Sequence, residues 1–218
     1  MAGGRLTGEH FLARVFHEAV VQNTETRRAV QIQLPDGSSA LKQQYSGTSK
    51  GVGVTLGLIG LGLGVYSFWE YTQDSIYPFG LGLSAIAFLV AAVIQLFLSV
   101  GGHYIESARI IELKKFGPPK RILISELQSA RAQNVTDGSS LTLRSIHGDK
   151  LVIDTYEFDT PVAAHAAALV MATSTPTQQF ERRIAHLMDV THVNFQREFL
   201  DYLYATNSSA HNSGSDKK

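Results

Sequence analysis

Eight histidines, nineteen acidic side chains and no cysteine make up the stock of reactive groups in this 218-residue chain. Without a thiol, disulfides, Cys nucleophiles and Cys-built zinc or iron–sulfur centres are excluded. The histidines are scattered. His10 and His17 fall on the polar side of an amphipathic stretch and read as solvated. His186 and His192 are six apart, a spacing that does not bring two imidazoles to one helix face for a shared metal. His165 stands among alanines and reads as a helix-surface residue. His103 precedes Tyr104 where a long apolar run ends. A histidine there either makes an interfacial hydrogen bond or ligates a haem or pigment, and its apolar body with a polar tip favours the first. Asp149, Asp154, Glu157 and Asp159 crowd one stretch. Paired carboxylates do acid–base work only in a shared desolvated cleft. Asp159-Thr160-Pro161 instead has the order of a helix N-cap, so the stretch reads as a turn entering a helix. No serine-nucleophile context, phosphate loop or metal-binding helix motif is present. These residues point away from an enzyme, and they call for no metal and no cofactor.

One cluster has a binding chemistry. Lys114, Lys115, Lys120 and Arg121 flank Gly117-Pro118-Pro119. Near a bilayer such a cluster attracts anionic headgroups, each charge contributing about 1 kcal/mol at the surface. A solvated hairpin tip has the same composition, so both readings stand. Nineteen basic residues balance nineteen acidic ones, and no global field would draw in nucleic acid.

What positions these residues is a pair of apolar runs, 51–69 and 78–100, neither of which carries a charge. Each is long enough to cross roughly 30 Å of hydrocarbon at 1.5 Å per residue. A domain this small has too little interior to bury two such runs on all sides. The 70–77 connection is short and forces an antiparallel hairpin. Trp69, Tyr71 and Tyr77 stand where an aromatic belt belongs, and the loop holds Glu70 and Asp74 but no Lys or Arg. Lys42 and Lys50 precede the first run, and Arg109, Lys114 and Lys115 follow the second. By the positive-inside rule the protein is two-pass, with both termini on the cytoplasmic, matrix or stromal side. The sequons Asn134-Val135-Thr136 and Asn207-Ser208-Ser209 would then stay unmodified.

Gly53, Gly57, Gly60 and Gly64 recur at helical spacing and line one face of the first run. Ser84, Ala87, Ala91 and Gln95 do the same in the second. Small residues let backbones approach closely where van der Waals packing drives association. An amide at that depth needs a hydrogen bond. The stripes either pack the two spans together or receive a helix from another membrane subunit. GLGLG within the first run neither follows a strand nor opens a solvent-facing helix, so it is not a nucleotide loop.

The expected organisation is α+β in five regions. Residues 1–48 hold an amphipathic helix, with Phe11, Leu12, Val15, Phe16, Ala19 and Val20 on one side, and a short strand at 30–34. That helix lies on the bilayer or docks on the soluble domain. Arg5 and Arg14 resemble an organelle presequence, whereas Glu9 and Glu18 argue against one. Residues 49–102 are the hairpin. Residues 103–173 carry strand patterns at 110–116, 121–124, 127–135, 141–146 and 151–154, an antiparallel meander curled into a small barrel or half-barrel with a capping helix. One further helix occupies 174–205, with Phe180, Ile184, Leu187, Phe195, Phe199 and Leu203 on its apolar side, and 206–218 is a disordered polar tail.

This order resembles the membrane-tethered bacterial pleckstrin-homology-like domains. Within that group it is most similar to the photosystem I assembly factor family of plastids and cyanobacteria. The matching stretches are Ser46-Gly47-Thr48-Ser49-Lys50, Pro78-Phe79-Gly80, Gly101-Gly102-His103-Tyr104, Phe116-Gly117-Pro118 and Ile124-Ser125-Glu126-Leu127-Gln128-Ser129-Ala130-Arg131, spanning roughly 46–155. The N-terminal extension, the second C-terminal helix and the Gly-rich first span depart from that family. The resemblance implies a non-catalytic assembly factor or accessory subunit of a multisubunit, energy-transducing membrane complex, in a mitochondrial or thylakoid membrane rather than a bacterial inner membrane. Its partners would be membrane lipids and other membrane subunits. The alternative is a lipid-binding adaptor working through the basic turn.

Overall fold

Apolar residues at helical spacing from Phe11 onward, and at strand spacing from Val30 and again from Ile110, place helices and strands on both sides of the two apolar runs. The computed structural model describes residues 8–26, 29–44, 47–73, 78–115, 117–135 and 138–212. Arg5, Ser46, Asp74, Tyr77, Phe116, Thr136 and residues 213–218 of the tail therefore lie outside the described residues.

The described elements are α1 (Gly8–Thr26), β1 (Val30–Gln33), β2 (Ser39–Gln44), α2 (Gly47–Thr72), α3 (Pro78–Gly101), β3 (His103–Glu106), β4 (Ile110–Lys114), β5 (Lys120–Leu123), β6 (Leu127–Val135), β7 (Gly138–Ser145), β8 (Lys150–Asp154), α4 (Pro161–Ser174), α5 (Thr177–Thr191) and α6 (Arg197–Asn212). The fold is α+β, with a five-stranded sheet ordered β1-β2-β3-β4-β5 and a three-stranded sheet ordered β6-β7-β8. Residues 1–43, 104–113 and 118–218 form one compact unit, and 44–103 with 114–117 form a second.

In the first unit, β2 ends just before the apolar helices and β3 begins just after them, yet the two strands are neighbours in one sheet. The helical hairpin is thus an insertion between adjacent strands. Sequence periodicity shows neither strand. β2 reads Ser-Ala-Leu-Lys-Gln-Gln with no clean alternation, and β3 is only four residues long at the end of an apolar run. The buried Gln43 explains the polar end of β2. Its amide donates to the Asp159 carbonyl at 2.7 Å and accepts from the Asp159 N–H at 2.9 Å. Leu34, Ala40, Ile105 and Ile110 pack as one cluster of this sheet.

Helix α4 is the centre of the helical layer. Val162 to Ala168 are all buried, and their small side chains let other elements approach from several sides. Helix α1 docks here through its expected face, with Leu12 and Val15 against Val162 and Ala166. Phe11 meets Phe199 and Tyr202 at ring-centroid distances of 5.2 and 5.3 Å. Docking on the domain therefore accounts for this amphipathic face.

The C-terminal region differs from the single expected helix. His192 adopts a left-handed conformation (φ 54°) at the end of α5, and the chain turns before α6. Glycine or asparagine would have signalled such a C-cap; a histidine does not. Helix α6 also continues through part of the expected tail, to Asn212. Polar residues persist there because they bond to α4. Asn207 is buried and donates to the carbonyls of Ala172 and Thr175 at 3.0 and 2.8 Å, and His211 Nε2 lies 2.7 Å from the Thr175 carbonyl. These contacts satisfy carbonyls that α4 leaves open at its C-terminal end. Asn207→Ala should destabilise the domain by about 1–3 kcal/mol. Ser208→Ala, at an exposed neighbour, should leave thermal unfolding unchanged.

In the second unit α2 and α3 pack antiparallel, both long and apolar enough to cross a membrane. Only 17% and 11% of their apolar windows are buried. Both therefore present apolar side chains outward, unlike core helices.

Candidate functional site

The predicted glycine stripe lies in the seam between α2 and α3. A Cβ built on Gly60 would lie 2.9 Å from Leu89 Cγ and 3.1 Å from the Ala85 carbonyl oxygen and the Leu89 nitrogen. On Gly53 it would meet Leu96 Cγ at 3.0 Å, on Gly57 Ala92 Cβ at 3.7 Å, and on Gly64 Ala85 Cβ at 3.8 Å. All four glycines thus face α3 of the same chain, and Gly60 marks the closest backbone approach. The matching face of α3 is Ala85, Leu89, Ala92 and Leu96, joined by Gln95, whose Cβ would lie 3.3 Å from a Cβ built on Gly53. Of the expected stripe, Ser84 and Ala87 are exposed and Ala91 and Gln95 half-buried. Ser84 donates to the Gly80 carbonyl at 3.0 Å. At the end of α2, Tyr66 and Trp69 pack with ring centroids 6.1 Å apart, and Trp69 and Tyr71 are exposed.

Of the basic residues at the predicted turn, Lys114 closes β4 and Lys115 follows it, while Lys120 and Arg121 open β5. Arg121 is committed to its cross-strand partner Glu112. Nε and Nη2 each lie 2.9 Å from Glu112 Oε2, a two-pronged pair whose carboxylate is buried. Its charge neutralises a protein carboxylate before any headgroup. The acidic stretch makes no shared carboxylate cleft: Asp149 and Asp159 are exposed, whereas Asp154 and Glu157 are half-buried.

His165 lies inside the domain, correcting its reading as a surface residue. Its ring packs against Phe195 and Phe199 at centroid distances of 4.7 and 4.6 Å, and Nδ1 donates to the Pro161 carbonyl at 2.6 Å. Burial holds the imidazole down at about 4, so it is neutral at physiological pH. His165 borders a cavity of 530 Å³ with Arg14, Asn23 and Thr160, where α1 and the start of α4 approach the α5–α6 turn. Asn23 Oδ1 and Thr160 Oγ1 are buried in its wall without partners among the described residues. Among the described residues no group of three His, Asp or Glu could hold a metal.

Sequence reasoning missed a buried acidic node. Glu106 and Tyr104 on β3 are both fully buried. The Tyr104 hydroxyl donates to Glu106 Oε2 at 2.8 Å, and the Ala163 N–H donates to the same oxygen at 3.4 Å. The carboxyl therefore caps the N-terminus of α4, taking the role that Thr160's side chain leaves open. Oε1 has no partner. Burial pushes the carboxyl up to about 8, against the opposing pull of the Tyr104, Ala163 and Val162 donors. The Tyr104 hydroxyl is raised by burial and by Glu106. The available signal was Glu106 itself, an acid set in the otherwise apolar Tyr104-Ile105 strand.

Comparison with protein families, curated proteins and solved structures finds no match to this chain.

Proposed function

We propose that the chain is a non-enzymatic two-pass membrane scaffold, acting as an assembly factor or accessory subunit of a multisubunit, energy-transducing membrane complex. The observation that carries this reading is the outward apolar surface of α2 and α3. Leu61, Val65 and Phe68 are exposed on one helix, and Ile86, Val90 and Val93 on the other. A continuous apolar surface of this extent needs lipid or other apolar helices as its solvent. Insertion of the hairpin between neighbouring strands supports both termini on one side, and the basic residues outside the hairpin, Lys42, Lys50, Arg109, Lys114 and Lys115, support the cytoplasmic, matrix or stromal one. We read the strands and α4 as the pleckstrin-homology-like domain that the sequence resembles, and an organelle inner membrane as its setting.

The glycine seam is occupied within the hairpin, so a partner helix would use the open small-residue face at Ser84 and Ala87. Ala87→Leu should then leave abundance unchanged and shift the protein to a smaller species on a native gel after mild-detergent extraction. Mass spectrometry of the wild-type species names the partners. Wild-type protein migrating alone, or Ala87→Leu leaving a large complex intact, would sink the scaffold reading.

A further inference from the structure

The outer face of the three-stranded sheet carries a charge pattern that the membrane reading does not use. Pairing places Ser129, Arg144 and Lys150 in one cross-strand row and Arg131 and Thr142 in the next, all on one face. The opposite face holds Leu141, Leu143, Leu151 and Ile153, all buried. Alternation therefore sends the apolar half to the core and collects the cations outside. Arg183 and His186 of α5 join Arg131, Arg144 and Lys150 in the lining of one groove of 710 Å³, which also includes Met171.

Among the described residues no carboxylate lines this groove. Among the described residues none of its five basic side chains is ion-paired. Their fixed contacts are to neutral groups. Arg183 donates to Thr175 Oγ1 at 3.3 Å, and Gln133, with its amide oxygen turned toward Arg131, accepts from Nη2 and Nε at 3.0 and 3.1 Å. Asp154 shares the sheet face one row beyond Arg131 but is not part of the wall. The chain as a whole is charge-balanced, so this segregation is local. Four permanent cations around one concavity repel each other, and a polyanion would reverse the sign of that interaction.

We propose that this groove binds a small polyanion bearing two or more phosphate groups or one phosphate of high charge, either a soluble phosphate ester or a lipid headgroup. Its volume is that of a small-molecule site. Guanidinium forks match phosphate oxygens with two parallel donors, and Arg131 and Arg144 rise from adjacent strands on the same face. A single carboxylate would leave most of the positive charge uncompensated.

The test uses full-length protein in phosphatidylcholine nanodiscs. One arm titrates inorganic pyrophosphate by calorimetry. The other measures co-flotation with phosphatidylcholine vesicles doped with phosphatidic acid. Saturable pyrophosphate binding without vesicle capture assigns a soluble ligand, and vesicle capture assigns a headgroup. In either arm Arg131→Gln or Arg144→Gln should weaken binding by about tenfold, and the double variant should abolish it. Thermal unfolding checks that each variant is folded, and Lys150→Gln replaces any that is not. Binding in neither arm would overturn the proposal, as would binding unchanged in a folded double variant. So would a poly-glutamate peptide or single-stranded RNA that binds more tightly than pyrophosphate.

Discussion

Gly60→Leu is expected to open the α2–α3 hairpin and lower the steady-state level of the protein several-fold. The reason is geometric. Even the first added carbon would sit 2.9 Å from Leu89 Cγ and 3.1 Å from two backbone atoms of α3, the Ala85 oxygen and the Leu89 nitrogen. A side chain could swing away, but a helix backbone cannot yield without moving the whole seam. Overpacking of this kind costs about 1–3 kcal/mol, and a Leu adds three more carbons in the same direction. Neighbouring glycines supply the controls. Gly62 faces open space, so Gly62→Leu should be near neutral. At Gly57 and Gly64 a Cβ would make ordinary contact at 3.7 and 3.8 Å, so Ala should be tolerated there and not at Gly60. Pulse-chase turnover and thermal unfolding of the five variants, Leu at Gly60 and Gly62 and Ala at Gly57, Gly60 and Gly64, measure the series. Equal turnover of Gly60→Leu and Gly62→Leu would show that the seam is not what holds the hairpin.

This gradient along one stripe marks where sequence reading stops. Spacing alone puts Gly53, Gly57, Gly60 and Gly64 on one face, because helical geometry is local. It cannot say which surface meets that face: the partner proves to be Ala85, Leu89, Ala92 and Leu96, and of the expected stripe Gln95 joins it at Gly53 while Ser84 and Ala87 are exposed. Other elements divide in the same way. The strand patterns at 127–135 and 151–154 coincide with β6 and β8, since alternation and turn residues report a half-buried strand locally. β2 and β3 were hidden because their pairing spans the inserted hairpin, and because the Gln43 bonds that complete β2 reach across 116 positions. The turn at His192 was hidden because a left-handed residue without glycine leaves no compositional trace. The basic groove is illegible for the same reason as β2. Arg131, Arg144, Lys150 and Arg183 are separated in sequence and meet only through strand register and the placement of α5. His165 shows the converse error, since an isolated polar residue among alanines looks exposed until Phe195 and Phe199 close over it.

Between pH 6.5 and 8 the stability of the domain should fall as pH rises, and Glu106→Gln should remove most of that slope. Glu106 is fully buried and its carboxyl is pushed from 4.5 to about 8 by burial. A carboxyl whose folded value is raised binds more protons folded than unfolded across that interval. Its stabilisation is complete below 4.5 and is lost as pH climbs to 8. The limiting slope is about 1.4 kcal/mol per pH unit. His165 works in the opposite direction over a different range. Its folded value is depressed from 6.5 to about 4, so it stabilises the fold above 6.5 and loses that contribution as pH falls toward 4. The two effects oppose each other between 4.5 and 6.5, which leaves the window above 6.5 to Glu106. Glutamine preserves the shape and can still accept from Tyr104 and Ala163, but it cannot ionise. Glu106→Ala should behave differently, because it leaves the Tyr104 hydroxyl and the first N–H groups of α4 buried without an acceptor, at a cost of about 1–3 kcal/mol for each orphaned group. It should lower stability at every pH. Thermal unfolding of the wild type and both variants, read by tryptophan-independent circular dichroism across this window, separates the two roles. An undiminished slope in Glu106→Gln would place the titrating group elsewhere, and a Glu106→Ala variant as stable as wild type would mean that the carboxyl does not cap α4.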